Sequence, residues 1–264
     1  MFYADYHTHS SFSTDSETPM EENIKAAIGL GMKEIAVTDH IDFDFPDPAW
    51  PFLFDYAPYR AEVERLRGIY GGQISILLGV ELGLQRHVYG EIDQFLKDNQ
   101  FDFVIGSSHC VDQCDLCAPD FFVGKTKEEA YEAYFEDVLY HVEHCPVFNV
   151  YGHIDFISRY GGYEDQTLSY AQYAPVLDNI FRALIAQGKG LEINTSGFRY
   201  GLNRTHPQVD LLKRYYELGG RILTVGSDAH KPEDIGADFA VAYELMKEVG
   251  FADVTRFQNR MVRK

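Results

Sequence analysis

Basic residues are scarce in this chain. Twenty-three lysines and arginines stand against 41 aspartates and glutamates, a formal net charge of −18 at pH 7. Such a surface repels nucleic acid, whose binding relies on cationic side chains displacing counterions from phosphate. It repels anionic lipid for the same reason. No run of about 18 apolar residues occurs, so no helical membrane span is expected. The start, Met1-Phe2-Tyr3-Ala4-Asp5, has neither the basic nor the apolar region of a secretory signal, so a cytoplasmic location is expected. Only four cysteines are present, Cys110, Cys114, Cys117 and Cys145, too few for a disulfide framework and expected to be reduced thiols in the cytosol. Low-complexity tracts, internal repeats and linkers are also lacking, which leaves residues 1–264 as a single domain.

What is present is an ordinary globular composition, 45% hydrophobic over 264 residues. Such a length buries enough surface to fold without staples. Short β-branched or aromatic runs at 2–6, 33–38, 74–80, 102–106, 147–151, 190–194 and 221–226 read as strands. They lack clean alternation, which suits strands covered on both faces. Amphipathic patterns at 19–30, 56–69, 126–143, 170–187, 207–218 and 237–249 read as helices. Thr18 is placed to cap the first of them, with Pro19 at its first helical position. Strands alternating with helices imply parallel βα units. No glycine-rich phosphate loop follows the first strand, which disfavours an open dinucleotide-type sheet. The expected fold is α/β, a (β/α) barrel of about seven or eight parallel strands.

The strand ends carry the chemistry. The first ends in His7-Thr8-His9, the second in Thr38-Asp39-His40, and the third in Glu81. The fourth ends in Ser107-Ser108-His109, the fifth in Gly152-His153-Ile154-Asp155, and the seventh in Ser227-Asp228-Ala229-His230. Barrel enzymes build their sites at the C-terminal ends of their strands. A histidine at one strand end is most simply a packed or capping residue, and His87, His141, His144 and His206 are read that way. Six strand ends all bearing imidazole or carboxylate are not explained by packing. In His7-Thr8-His9 both rings leave the strand on one side, because side chains alternate with period two. Imidazole with carboxylate suits zinc, iron or manganese.

The pattern as a whole resembles the PHP (polymerase and histidinol phosphatase) family, and most closely its histidinol-phosphatase branch. The matching segments are HTHSSFSTD (7–15), VTDH (37–40), GVE (79–81), GSSH (106–109), GHID (152–155), EINTSG (192–197) and GSDAHKPEDIG (226–236). They run the length of the chain in order. The resemblance implies a distorted (β/α)7 barrel with a metal site at its C-terminal face, holding three divalent ions. It implies His7, His9, Glu81 and Asp228 around one metal, Glu81, His109 and His153 around a second with Glu81 bridging, and Asp15, His40 and His230 around a third.

Such a site implies a metal-dependent phosphomonoesterase, with L-histidinol phosphate of histidine biosynthesis as the expected substrate. Divalent metals make hydroxide available near neutral pH, and a hydroxide bridging two of them can attack phosphorus in line. A poor alkoxide leaving group needs a general acid, for which His230, Asp39 and Asp155 are the candidates. Arg159 and Arg199, on loops after the fifth and sixth strands, are candidates for binding the phosphate, since guanidinium donates bidentately to such anions. A small phosphomonoester is thus the expected partner. The alternatives are a PHP-type phosphodiesterase or exonuclease acting on nucleotides, a non-catalytic metal-binding barrel, and an iron–sulfur enzyme built on Cys110, Cys114 and Cys117.

Overall fold

The computed structural model describes residues 3–263. Seven parallel strands alternate with seven helices. The strands are β1 (Ala4–Asp5), β2 (Glu34–Val37), β3 (Ser75–Gly83), β4 (Phe103–Ser107), β5 (Val150–Tyr151), β6 (Gly190–Asn194) and β7 (Leu223–Gly226). Each pairs with its sequence neighbour, in the order β1 to β7. The short strand His40–Ile41 pairs in parallel with the end of β3. The ring nearly closes. Tyr6 N donates to the Val225 carbonyl at 2.9 Å, and Asp228 N to that of His7 at 2.8 Å.

The longer helices are α1 (Met20–Gly29), α2 (Tyr56–Tyr70), α3 (Tyr89–Asp98), α4 (Lys127–His144), α5 (Tyr170–Ala186), α6 (Val209–Glu217) and α7 (Phe239–Val249), and a single turn, Ser196–Arg199, follows β6. All six helices expected from the sequence are there. The seventh, α3, was not expected: its apolar residues Ile92, Phe95 and Leu96 make too narrow a stripe to be read alone. The cap expected at Thr18 does not form. Pro19 takes the cap position of α1, and the Thr18 hydroxyl donates to the His230 carbonyl at 2.8 Å. The predicted strand 2–6 contracts to Ala4–Asp5, and residue 2 lies outside the described residues. The cap of α4 is a full box, with Thr126 and Glu129 each bonded to the other's backbone N–H.

Two cores explain the continuous apolar runs. Ala36, Leu77, Phe103, Ile105 and Val150 point into the barrel, where Tyr6 and Phe257 complete the filling. Ile35, Val37, Leu78 and Val104 face outward and pack under the helices. Period-two alternation then fixes what the strand ends deliver. On β3, Leu77 and Glu81 share the inner face. On β4, Phe103, Ile105 and Ser107 do. The barrel floor is apolar and the same face becomes polar one layer higher.

Candidate metal centre

Glu81 sits at the centre of the polar layer, with its side chain about 1% exposed. Its Oε2 lies 3.1 Å from His7 Nε2, 3.4 Å from His9 Nε2 and 3.2 Å from His40 Nδ1. Its Oε1 lies 3.0 Å from His153 Nε2 and 3.3 Å from His109 Nε2, and accepts from Ser107 Oγ at 2.7 Å. Asp228 Oδ1 is 3.5 Å from His9 Nε2 and 3.8 Å from His7 Nε2. At the rim, Asp15 Oδ2 is 3.0 Å from His230 Nε2 and 3.7 Å from His40 Nε2. The rings of His40 and His230 each stack on His9 at 4.2 Å.

Among the described residues, ligand atoms converge in four groups, none of which contains Asp15 or Asp228. His7, His9 and Glu81 form one, and Glu81, His109 and His153 a second. A third brings together His9, His40 and His230, with His9 where Asp15 was expected, while Asp15 contacts His230 and His40 from the rim. A fourth, His40, Asp42 and His109, includes a carboxylate that sequence reading passed over. The arrangement fits divalent metals. His7 Nε2, His9 Nε2, His40 Nδ1, His153 Nδ1 and Glu81 Oε2 are buried without a hydrogen-bond partner. Buried polar atoms without partners are costly, and a cation among them removes that cost.

Charge coupling runs through the cluster. Burial resists protonation of His7, but Glu192, Glu81 and Asp228 hold its ring well above the usual imidazole range. His109 is raised likewise, against burial, by Asp42 and Glu81. His40 is held at about 9, against burial, first by Glu81. His9 falls to about 3 through burial and the neighbouring His230 and His40. Glu81 and Asp228 stay well below the carboxylate range despite burial, chiefly because of His7.

Two further carboxylates orient these rings. Glu192 Oε1 accepts from His7 Nδ1 at 2.7 Å, and Glu192 Oε2 from His153 N at 3.0 Å. Asp42 Oδ2 accepts from His109 Nδ1 at 2.6 Å. Space for both depends on glycine. A Cβ at Gly226 would run into Glu192 Oε1 and His7 Cβ, and one at Gly83 into the Asp42 carboxylate. The sequence signal for Glu192 was its inward position on β6, two residues before Asn194, which is weak without a fold.

A cavity of about 460 Å³ opens over the cluster. His230, Arg159 and Arg199 line it, as expected, with Phe45, Phe52, Phe156, Tyr160 and Tyr200 on its walls. Asp39 and Asp155, expected as proton donors, do not line it. Asp39 Oδ1 accepts from Ser10 N at 2.6 Å and Ser13 Oγ at 2.8 Å, and Oδ2 from Ser10 Oγ at 2.9 Å. It therefore ties down the loop after β1. Asp155 is fully buried against His206 and Gln208 N. Both are fully buried away from the cavity.

Arg199 donates through Nη2 to the Ser227 and Asp228 carbonyls at 2.7 Å, while its Nη1 has no partner. Arg159 packs its Cζ against the rings of Phe156 and Tyr200, at 4.7 and 4.3 Å, and its Nη2 lies 3.6 Å from Asp228 Oδ2. The remaining histidines are structural. His87 pairs with Asp44 at 2.9 Å, and His141 with Asp137 at 2.8 Å. His144 bonds to the Tyr140 carbonyl at 2.9 Å. The segment expected as a loop with three thiols forms a hairpin, Cys110–Val111 with Cys114–Asp115. Cys117 reaches the cavity wall, yet among the described residues no converging ligand group contains a cysteine.

The comparisons with known proteins agree with one another. The PHP domain matches residues 5–196. A histidinol-phosphatase of Lactococcus lactis subsp. lactis (strain IL1403) is 34% identical over 261 residues, 98% of this chain and 96% of that protein. A "Probable histidinol-phosphatase" of Clostridium acetobutylicum is 32% identical over 265 residues, 98% of each chain. The crystal structure of the L. lactis histidinol phosphate phosphatase, complexed with zinc, L-histidinol and phosphate, has a TM-score of 0.91 at 34% identity. That match covers 100% of this chain and 99% of the other. With strand ends, barrel and relatives in accord, the chain belongs to the PHP family, in its histidinol-phosphatase branch.

Proposed function

We infer that this protein is a metal-dependent phosphomonoesterase that hydrolyses L-histidinol phosphate to L-histidinol and phosphate. The observation that carries this reading is the Glu81-centred cluster on the floor of a cavity that two arginines line. The L. lactis relative binds zinc, L-histidinol and phosphate, and its likeness extends over the whole chain.

His7, His9, Glu81 and Asp228 would hold one metal, Glu81, His109 and His153 a second, and Asp15, His40 and His230 a third, with His9 beside the last group. When bound, divalent metals supply Lewis acidity, offsetting phosphate charge and lowering the pKa of water. The chain's own groups do the rest. Glu192 and Asp42 fix which nitrogen of His7 and His109 faces inward, as carboxylates behind ligating histidines do. Arg159 and the open Nη1 of Arg199 grip the phosphate oxygens through charge-assisted bonds. The leaving oxygen needs a proton, and His230 Nε2, which Asp15 Oδ2 faces at 3.0 Å, would supply it only where that nitrogen carries no metal, because Nδ1 is engaged by the Asp228 carbonyl. Of the expected donors, only His230 lines the cavity.

The test is metal analysis of the purified protein with steady-state kinetics on L-histidinol phosphate, a panel of other phosphomonoesters and one phosphodiester. The expected result is bound divalent metal and the highest kcat/KM on L-histidinol phosphate. Equal or faster turnover of the diester would return the site to the phosphodiesterase alternative.

A further inference from the structure

Behind Arg159 lies a buried polar pair that no role in the reaction has yet claimed. Arg159 Nε donates to His206 Nε2 at 3.0 Å. A guanidinium has donors only, so His206 Nε2 must be the unprotonated nitrogen. The proton then sits on Nδ1, which donates to Asp155 Oδ1 at 2.5 Å. The other Asp155 oxygen accepts from Gln208 N at 3.1 Å. The side chains of His206 and Asp155 are fully buried, and that of Arg159 is 4% exposed. The backbone holds His206 as firmly. Its N–H and carbonyl bond to Asn194 at the end of β6, at 2.8 and 2.6 Å.

We propose that His206 and Asp155 are positioning residues that fix the plane of the Arg159 guanidinium for the substrate phosphate. The proposal rests on the reading of Arg159 as a phosphate-binding residue. Several contacts restrain that guanidinium. His206 holds Nε, Ser196 Oγ accepts from Nη2, Asp228 Oδ2 lies 3.6 Å from the same Nη2, and the rings of Phe156 and Tyr200 pack against Cζ at 4.7 and 4.3 Å. A planar group held at Nε and Nη2 and packed against two rings is restrained in its plane, which leaves Nη1 to donate in a set direction. Asp155 acts one step further back, selecting the tautomer that makes His206 an acceptor. This explains why a carboxylate directly after the His153 strand end lies outside the cavity.

The test compares two variants of similar reach. His206→Gln keeps an oxygen acceptor near Nε2, and His206→Met removes it. The readouts are inhibition by inorganic phosphate and by L-histidinol, with an aryl phosphate as substrate, plus metal content and thermal unfolding. Leaving the Arg159 Nε without an acceptor should weaken phosphate inhibition roughly tenfold in His206→Met. Histidinol inhibition and metal content should hold, and His206→Gln should restore phosphate inhibition to within about threefold. In an Arg159→Ala background, the change from His206 to Met should have no further effect on phosphate, since coupled residues are not additive. If His206→Met does not fold, His206→Asn, which keeps only the Asp155 contact, gives the same contrast with Gln. Equal loss in Gln and Met, parallel loss of histidinol binding, or additivity with Arg159→Ala overturns the proposal. Unchanged phosphate inhibition in Arg159→Ala alone overturns the reading of Arg159 beneath it, and the proposal with it.

Discussion

Glu192 accepts a hydrogen bond from His7 Nδ1 at 2.7 Å, on the side of the ring away from Glu81, which lies 3.1 Å from Nε2. The carboxylate thereby fixes the His7 tautomer and turns Nε2 to the cluster. Glu192→Gln keeps the shape, but its amide can present N–H to Nδ1 and so favour the wrong tautomer. Metal affinity should fall by about 10–100-fold, as for other carboxylates behind ligating histidines. Metal titration of the stripped variant, followed by calorimetry or a chromogenic chelator, measures it. Wild-type affinity would reduce Glu192 to packing.

Glu81 offers one oxygen to His7, His9 and His40 and the other to His109 and His153. Asp42 reaches only His40 and His109, at 3.6 and 2.6 Å, so among the described residues Glu81 alone faces all five rings. Glu81→Ala should lose at least one metal per chain and essentially all phosphatase activity. Full metal content with wild-type kcat in that variant would sink the proposed centre.

Metal uptake should release protons. Against burial, the facing carboxylate of Glu81 keeps His40 at about 9, up from 6.5, so the metal-free ring is charged at neutral pH. A ligating ring must give that proton up. Apparent metal affinity should therefore rise with pH up to about 9, by roughly tenfold per unit for each proton displaced. The metal-free fold should respond in the opposite sense. A raised histidine pKa stabilises fully below 6.5 and loses that contribution as pH climbs through 9. Proton release on metal addition to weakly buffered protein, with unfolding midpoints at pH 6.5 and 9, checks both signs. A flat pH dependence would contradict the coupling.

The candidate metal ligands are legible because they occur at strand ends, and the strands themselves stand out as apolar runs. Glu81 could even be placed inward by counting from Leu77. What could not be read was how far each carboxylate is already engaged. Asp39 and Asp155 sit in the same motifs as His40 and His153, yet their oxygens are taken by Ser10, Ser13, His206 and Gln208. Glu192 and Asp42 were overlooked for the converse reason. Their function lies in partners 185 and 67 positions away, His7 and His109. Adjacency in sequence assigns a residue to a region, and only the fold assigns its lone pairs.

Cys110, Cys114 and Cys117 should be dispensable for the chemistry, although Cys117 lines the cavity. Burial pushes the thiols of Cys110 and Cys117 up, so they do not offer thiolates to a metal. A triple Ser variant should keep its metal content and a kcat/KM within about tenfold of the parent, the main cost being a polar atom at buried Cys110. A loss beyond a hundredfold in a folded variant would show that the hairpin takes part.

His230 is a ligand candidate and also the one expected proton donor at the cavity wall, and the two roles separate by leaving group. General acid catalysis by one side chain contributes about 10²–10⁴-fold, and only where the leaving oxygen needs a proton. An alkyl phosphate such as histidinol phosphate needs one, whereas a nitrophenyl phosphate leaves as a stable anion. If His230 supplies the proton, His230→Ala should lose within that range on the alkyl ester and far less on the nitrophenyl ester. If it acts only by holding metal, both substrates should slow equally, in proportion to metal lost. Its Nδ1 bond to the Asp228 carbonyl at 3.0 Å and the Asp15 contact at Nε2 orient the ring for either role. His230→Gln sharpens the contrast, because its amide can occupy the rim without donating a proton from an acidic group. Kinetics of both variants on the two esters, with metal counted on the same preparations, decide it. Equal losses on both substrates would remove His230 as the acid and leave it as a ligand.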